Sequence, residues 1–395
     1  MTLPKIVPAL LSVALLLSNT RCNTQSLPVL SGKITLSPGW KPVVYLIQPR
    51  HFAEIASNYS GVVADSAAIA PDGSFAFPKM PGHAEDGLFQ VCVQQQGSRY
   101  PTLLLDDNPL NANYMPVVLQ NNAPVVVAAE SARLQASFSM VGPSQENAAL
   151  LQLRDIRLAA FRQHLSGYTE APDEHNLLEH EAALLHFREP LMAFADSTAL
   201  FRPALLAVRW VSPEADYERV PEFLSRQCRK WSADTHDNAW AQQLCAAANP
   251  GKLPVQTGAD LPDFPMPMAS GDTLPLYSLL GKRLTVVDIW ASWCAPCRRE
   301  NRDVLVPLYR DYRDRGLEIV AYSIDSSRDA WKGAIAKDAA VWPHASHLAG
   351  DATPFMEVLH VTTIPANFIV DAQGKIVAKN LHGDALRAFV SNYMK

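Results

Sequence analysis

The chain has 395 residues, long for one core and suited to two or three domains. Apolar residues make up 48% and charged residues 18%, as in folded proteins, and 34 basic against 39 acidic side chains leave a net charge of -5. That balance provides no general attraction to nucleic acid or anionic lipid, and neither partner is expected.

Residues 1–22 read as an export signal: Lys5, the apolar run "IVPALLSVALLL" (Ile6 to Leu17), then the polar exit "SNTRC". The run falls short of the roughly 20 apolar residues of a membrane span, so a soluble or lipid-anchored mature protein is expected. Cys22 stands where a bacterial lipoprotein carries its acylated cysteine. Arg21 occupies a position where such sites carry a small residue, so a lipid anchor at Cys22 and an unmodified cysteine both remain open. Export would permit disulfides among the remaining cysteines.

Residues 29–142 alternate short β-rich runs with turns: "KPVVYLIQ", "GLFQVCVQQ", "PTLLLDD", "YMPVVLQ" and "PVVVAAE". Asp72-Gly73 between two such runs predicts a hairpin. The stretch reads as an all-β, sandwich-like domain, with Cys92 a small buried hydrophobe inside a strand. From 145 to 249 the texture turns helical. "ENAALLQLRDIRLAAFRQHL" and "NLLEHEAALLHFREPLMAFA" repeat apolar residues at three- and four-residue steps, and Pro172-Asp173 predicts a cap before the second. These helices suit an interdomain spacer or an oligomerisation surface. His180-Glu181 begins like a zinc-protease motif, but Leu184 stands where the second ligand belongs and the next histidine is His186, which places no metal there. Cys228 and Cys245 fall in helical segments on either side of "SADTHDN", level enough in an antiparallel pair for a structural disulfide, with two free core thiols as the other reading.

Residues 250–260, rich in Pro and Gly, read as a linker, and a mixed α/β domain follows over 261–395. "RLTVVDIWAS" has the composition of a buried central strand. It runs into Cys294, and "APCRRENRDVLVPLYRDYRDRG" continues as a long amphipathic helix ended by Gly316. "LEIVAYSID" predicts a second strand, "RDAWKGAIAKD" and "FMEVLH" helices, "PANFIVDAQGKIVAKN" a hairpin at Gln373-Gly374, and "DALRAFVSNYM" a closing helix.

Cys294 therefore falls at a strand-to-helix junction, where free backbone N–H groups and the positive helix end favour a thiolate. Cys297, one turn on, can reach back to it. Zinc needs four ligands, and nothing after Cys297 offers a second CxxC or a close histidine pair; His344 and His347 lie far along the chain. A bridge over so short a loop restrains little chain, so redox chemistry is the expected use of the pair.

"WCAPC" with "TTIPANFIVD" resembles the thioredoxins, and more narrowly the TlpA/ResA-type envelope thioredoxins, over residues 261–395. The resemblance implies a thioredoxin fold for that stretch and a thiol-disulfide oxidoreductase that uses no metal or organic cofactor. Cys294 would be the attacking thiolate and Cys297 the resolving one; together they would form the redox-active disulfide. Trp293 and Pro296 would flank the substrate groove, Pro365 would be the cis-proline, and Ile364 would offer backbone to an incoming peptide. Asp288 matches the buried acid that helps move the proton of the resolving cysteine, or is an acid satisfied by neighbouring backbone. Glu300 matches the glutamate that tunes the thiols, or is a surface acid. "EIVAYSID" lacks the lysine that partners the buried acid, and Asn301-Arg302 replaces a proline-containing step. Arg298 and Arg299 could stabilise the thiolate or be solvated charges.

The resemblance further implies disulfides of envelope proteins as substrates, a membrane electron donor, and a periplasmic or envelope location in a Gram-negative bacterium. Two rival readings stand beside it. One is a scaffold protein with a vestigial thioredoxin-like domain. The other is a peroxidase, which would need Pro-x-x-x-Thr-x-x-Cys where Val287 to Cys294 read "VDIWASWC".

Overall fold

The computed structural model describes residues 27–58, 61–81, 86–168, 173, 176–233 and 238–395. The export signal over 1–22, with Arg21 and Cys22, and the capping residue Pro172 lie outside the described residues.

Among the described residues up to 141 there are eight strands: β1 (Leu30–Thr35), β2 (Trp40–Gln48), β3 (Val62–Ala68), β4 (Ser74–Phe77), β5 (Asp86–Gln95), β6 (Tyr114–Gln120), β7 (Val125–Glu130) and β8 (Ser139–Val141). They form two four-stranded sheets, in the orders β4-β1-β7-β8 and β3-β2-β5-β6. Only β1 with β7 is parallel among their pairs. Strand β7 alternates buried and exposed residues, as a strand with one face on the core must.

Two expectations fail here. The Asp72-Gly73 turn does not close a hairpin, because β3 pairs with β2 and β4 with β1; the turn carries the chain from one sheet to the other. "PTLLLDD" is not a strand. Side-chain amides take up its backbone instead: Gln94 donates to the carbonyls of Pro101 and Leu103 (2.8 Å each), and the Asn113 Oδ1 accepts from the Leu105 N–H at 2.8 Å.

The α-helices described next are α1 (Leu134–Ser137), which lies between β7 and β8, then α2 (Gln145–His164), α3 (Leu177–Ser197), α4 (Phe201–Val211), α5 (Pro221–Trp231) and α6 (Ala239–Ala247). Ser144 caps α2 through the Asn147 N–H. The N-cap of α3 is Asn176, and Asp173, three positions before it, accepts the Asn176 N–H at 3.1 Å. Pro190 lies inside α3. Asn147 pins α2 to the edge of β6, accepting the Val118 N–H and donating to the Val118 carbonyl, both at 2.8 Å. An Arg157–Asp106 ion pair (2.8 Å), with Tyr114 donating to Asp106, lies buried between helices and sheet. One apolar core therefore runs from Val29 to Leu253 across sheets and helices alike.

A second core spans Leu261 to Met394. Its elements are β9 (Pro265–Pro267), β10 (Thr273–Pro275), β11 (Leu284–Trp290), α7 (Ala295–Glu300), α8 (Val306–Tyr312), β12 (Leu317–Ser323), α9 (Arg328–Lys337), β13 (His344–Ala345), α10 (Pro354–Leu359), β14 (Ala366–Asp371), β15 (Ile376–Lys379) and α11 (Gly383–Tyr393). The main sheet runs β13-β12-β11-β14-β15, with β11 parallel to β12 and antiparallel to β14. Between the cores, residues 250–260 are strapped down: Val255 donates to the Leu359 carbonyl (3.3 Å) and Gly258 to that of Ile376 (2.8 Å).

The helix after Cys294 is not uniform. Asn301–Leu305 form a π turn between α7 and α8, two residues before Pro307, whose missing N–H and bulky ring an α-helical ladder would have to accommodate. Gly316, in the left-handed region at φ 101°, ends the run.

Cys228 and Cys245 are disulfide-bonded, joining α5 to α6 across 17 positions of sequence. Replacing both by alanine should lower unfolding stability by about 3 kcal/mol, the loop-closure value for a ring of this size. Urea denaturation under non-reducing conditions measures this, and coincident transitions for variant and wild type would contradict it.

Candidate active site

Every residue of β11 is buried, so the chain leaves the sheet only after Trp290. Ala291 to Cys294 turn it, and Cys294 becomes the N-cap of α7 with extended backbone, its sulfur accepting from the Cys297 N–H at 3.2 Å. Cys294 and Cys297 are disulfide-bonded, with Cα atoms 5.3 Å apart. Both sulfur-bearing residues are nearly covered, at 6% and 2% exposure, while Trp293 beside them is 63% exposed. Pro296 is buried in the first turn of the helix, where a missing N–H costs nothing.

The loop "TTIP" reaches the same end of the sheet. Register pairs Ile289 with Ala366, so Pro365 continues toward the place where β11 ends. The Ile364–Pro365 peptide bond is cis.

Asp288 lies on β11, buried between Ala321 of β12 and Asn367 of β14. Burial, and after it the charge of Glu300, holds its carboxyl well above the usual carboxylate range. Glu300 is not a surface acid: its side chain is 2% exposed, accepting from His382 Nδ1 at 2.8 Å and from the Gly383 N–H at 3.0 Å. Arg298 is not a solvated charge either. Its guanidinium grips the buried Asp338 by two nitrogens, one at 2.7 Å, and donates to the Ser292 carbonyl at 3.0 Å. Arg302 reaches the same carboxylate at 3.0 Å. Burial opposes ionisation of Asp338, but hydrogen bonds from both arginines outweigh it and hold the carboxyl below its ordinary range. His344 is packed against Trp290 and Trp342, and burial pushes its imidazole down to about 4.

Sequence reasoning singled out none of Glu218, Arg219 and His382. Glu218 Oε2 accepts from the N–H (3.0 Å) and hydroxyl of Thr362, and Oε1 from the N–H (3.2 Å) and hydroxyl (2.6 Å) of Thr363. Arg219 donates to the Pro365 carbonyl at 3.1 Å and to Glu181 at 3.2 Å. Lys379 on β15 pairs with Glu222 at 3.0 Å. The local signal at His382 is its position just before Gly383, the first residue of α11.

Two thiols closed into a disulfide at a helix start, next to an exposed tryptophan and a cis-proline loop, can exchange electron pairs with another disulfide without a metal or a bound organic group. The sequence profile of the AhpC/TSA family matches residues 257–379. Thiol-disulfide oxidoreductase ResA of Bacillus cereus is 27% identical over 144 residues, covering 36% of this chain and 80% of that protein. The ResA of Bacillus subtilis is 26% identical over 144 residues, covering 36% and 77%. Among solved structures, the thioredoxin domain of a thiol-disulfide oxidoreductase from Bacteroides vulgatus is 29% identical, with 36% of this chain and 99% of that one covered at a TM-score of 0.34. With β11, the dithiol helix, the cis-proline loop and the ResA relatives in one stretch, the C-terminal part of this chain is a thioredoxin-superfamily domain of the TlpA/ResA type.

Proposed function

We propose that the protein is an exported thiol-disulfide oxidoreductase that reduces, or exchanges, disulfides of envelope proteins. The observation that carries this reading is the Cys294–Cys297 disulfide at the start of α7, on the sheet end where the Ile364–Pro365 loop also lies. Similarity to the ResA proteins supports the reaction class. Export is supported by the signal-like residues 1–22 and by the Cys228–Cys245 bridge, a bond at home in an oxidising compartment.

In the reduced enzyme, the Cys294 sulfur, held near the Cys297 N–H and the helix start, attacks one sulfur of the substrate disulfide. The substrate bond breaks, its second sulfur leaves as a thiolate and takes a proton, and a mixed disulfide remains. Cys297 then gives up its proton, attacks Cys294, and releases the other substrate thiol. Two electrons have passed to the substrate, and Cys294–Cys297 is oxidised; a membrane electron donor would restore the dithiol. Asp288, kept protonatable by burial and Glu300, is assigned the exchange of the Cys297 proton. Trp293 and Pro296 border the approach, and Ile364 presents backbone to the incoming chain.

Cys294→Ser should abolish reduction of insulin disulfides, while Cys297→Ala should accumulate mixed disulfides with envelope proteins on non-reducing gels. Full insulin reduction by the Cys294→Ser protein would sink the proposal.

The raised carboxyl of Asp288 also fixes the sign of a stability effect. Folding favours its protonated form, so wild type loses stability as pH rises from the unfolded carboxylate value toward the folded one. Asp288→Asn removes that loss. Its stability advantage over wild type should therefore grow from pH 4 upward and then level off, as read by urea melts across pH; a constant difference contradicts the assignment.

A further inference from the structure

The two cores meet around the cis-proline loop, and there the fit is specific. One carboxylate, Glu218, takes four hydrogen bonds from consecutive threonines of that loop, and its neighbour Arg219 holds the Pro365 carbonyl. Beside this clamp lies a mostly apolar cavity of about 770 Å³. Leu178, Ala182 and Leu185 of α3 form one wall, and Thr363, Leu381 and His382 of the C-terminal domain the other. Its size falls within the range of about 300–1,000 Å³ usual for sites that bury a ligand.

Three buried nitrogens on residues lining the cavity have no partner among the described residues: Arg188 Nε, Arg219 Nη1 and His382 Nε2. Buried polar atoms are rarely left so, because an unmade hydrogen bond costs free energy. The two arginine nitrogens are donors. His382 uses Nδ1–H toward the Glu300 carboxylate, so in the neutral ring Nε2 is an acceptor. Donors and an acceptor set among apolar side chains complement a polypeptide backbone, which offers both C=O and N–H. A simple anion would meet Glu181, already paired with Arg219, and the Asp216 carboxylate near Arg188. Exposed Glu179, Glu189 and Asp384 at the mouth further disfavour an acidic ligand.

We propose that this cavity receives an extended, mainly apolar stretch of the substrate polypeptide next to the disulfide being exchanged. The helical layer then forms one wall of the substrate cleft, and Glu218 is a positioning residue that fixes the Thr362–Pro365 loop against that wall. This rests on the oxidoreductase reading above, in which Ile364 of the same loop meets the incoming chain. An extended chain advances about 3.3 Å per residue, so a segment paired at Ile364 reaches the neighbourhood of Thr363 within a residue or two.

The test uses the full-length oxidised protein and an acetylated eight-residue Leu/Val-rich peptide with serine in place of its central cysteine, titrated by calorimetry. Wild type should bind it, an acidic counterpart with two Glu should bind less well, and Ala182→Trp, which fills the cavity from an exposed helix position, should weaken binding about tenfold. Glu218→Gln keeps the shape of the clamp but loses the charge; it should weaken binding several-fold and raise KM for a cystine peptide more than it lowers kcat, with the Cys294–Cys297 reduction potential unchanged. Absence of wild-type binding overturns the proposal, as does equal affinity in both variants with native melting curves. Insulin reduction is recorded on the same preparation. Its loss with peptide binding intact removes the oxidoreductase reading and leaves the cleft, whereas intact reduction without peptide binding does the reverse.

Discussion

The C-terminal domain depends on burying β11 along its whole length. A strand covered on both faces, with β12 and β14 as neighbours, cannot turn toward water until the sheet ends, so the first residues free to do chemistry are those after Trp290. The helix that follows must begin there, and its unpaired N–H groups meet whatever side chain caps it. Here that side chain is the Cys294 sulfur. The same burial explains Asp288: an acid in the middle of such a strand is held well above the carboxylate range by desolvation and by Glu300.

The helical layer is tied to this end of the domain through a short segment, residues 218–222. Glu218 holds the threonines, Arg219 the Pro365 carbonyl, and Glu222 the Lys379 ammonium and the Thr257 N–H. Charge-assisted bonds to a nearly buried carboxylate are stronger and more directional than exposed pairs. These bonds join the helical layer to the loop on the sheet end that carries the Cys294–Cys297 disulfide. His382 continues the connection inward, lining the shared cavity on one side and holding Glu300 on the other.

What the sequence revealed follows from how local each feature is. Cys294, Cys297 and Pro365 were legible because "WCAPC" and "TTIPANFIVD" are short motifs embedded in strongly patterned strands and helices. Glu300 stayed ambiguous between tuner and surface acid because its burial depends on His382 and Gly383, more than 80 positions away. Glu218 gave no signal, since its partners are 144 and 145 positions distant. "PTLLLDD" misled because an apolar run looks like a strand unless one knows that Gln94 and Asn113 supply its hydrogen bonds. The π turn at Asn301–Leu305 was hidden behind an amphipathic pattern, although Pro307 was in plain view.

The charge distribution bears on the direction of electron flow. A dithiol becomes a strong oxidant when its reduced form is stabilised, chiefly through a well-solvated or cation-paired thiolate. Arg298, the cation nearest in sequence, has its guanidinium committed to Asp338 and the Ser292 carbonyl, and Arg302 is bound to the same acid. The Cys294 sulfur accepts the Cys297 N–H at the helix start, and Asp288 and Glu300 are buried acids on β11 and α7. The Arg298 guanidinium is therefore directed at Asp338 and the Ser292 carbonyl rather than at the Cys294 sulfur.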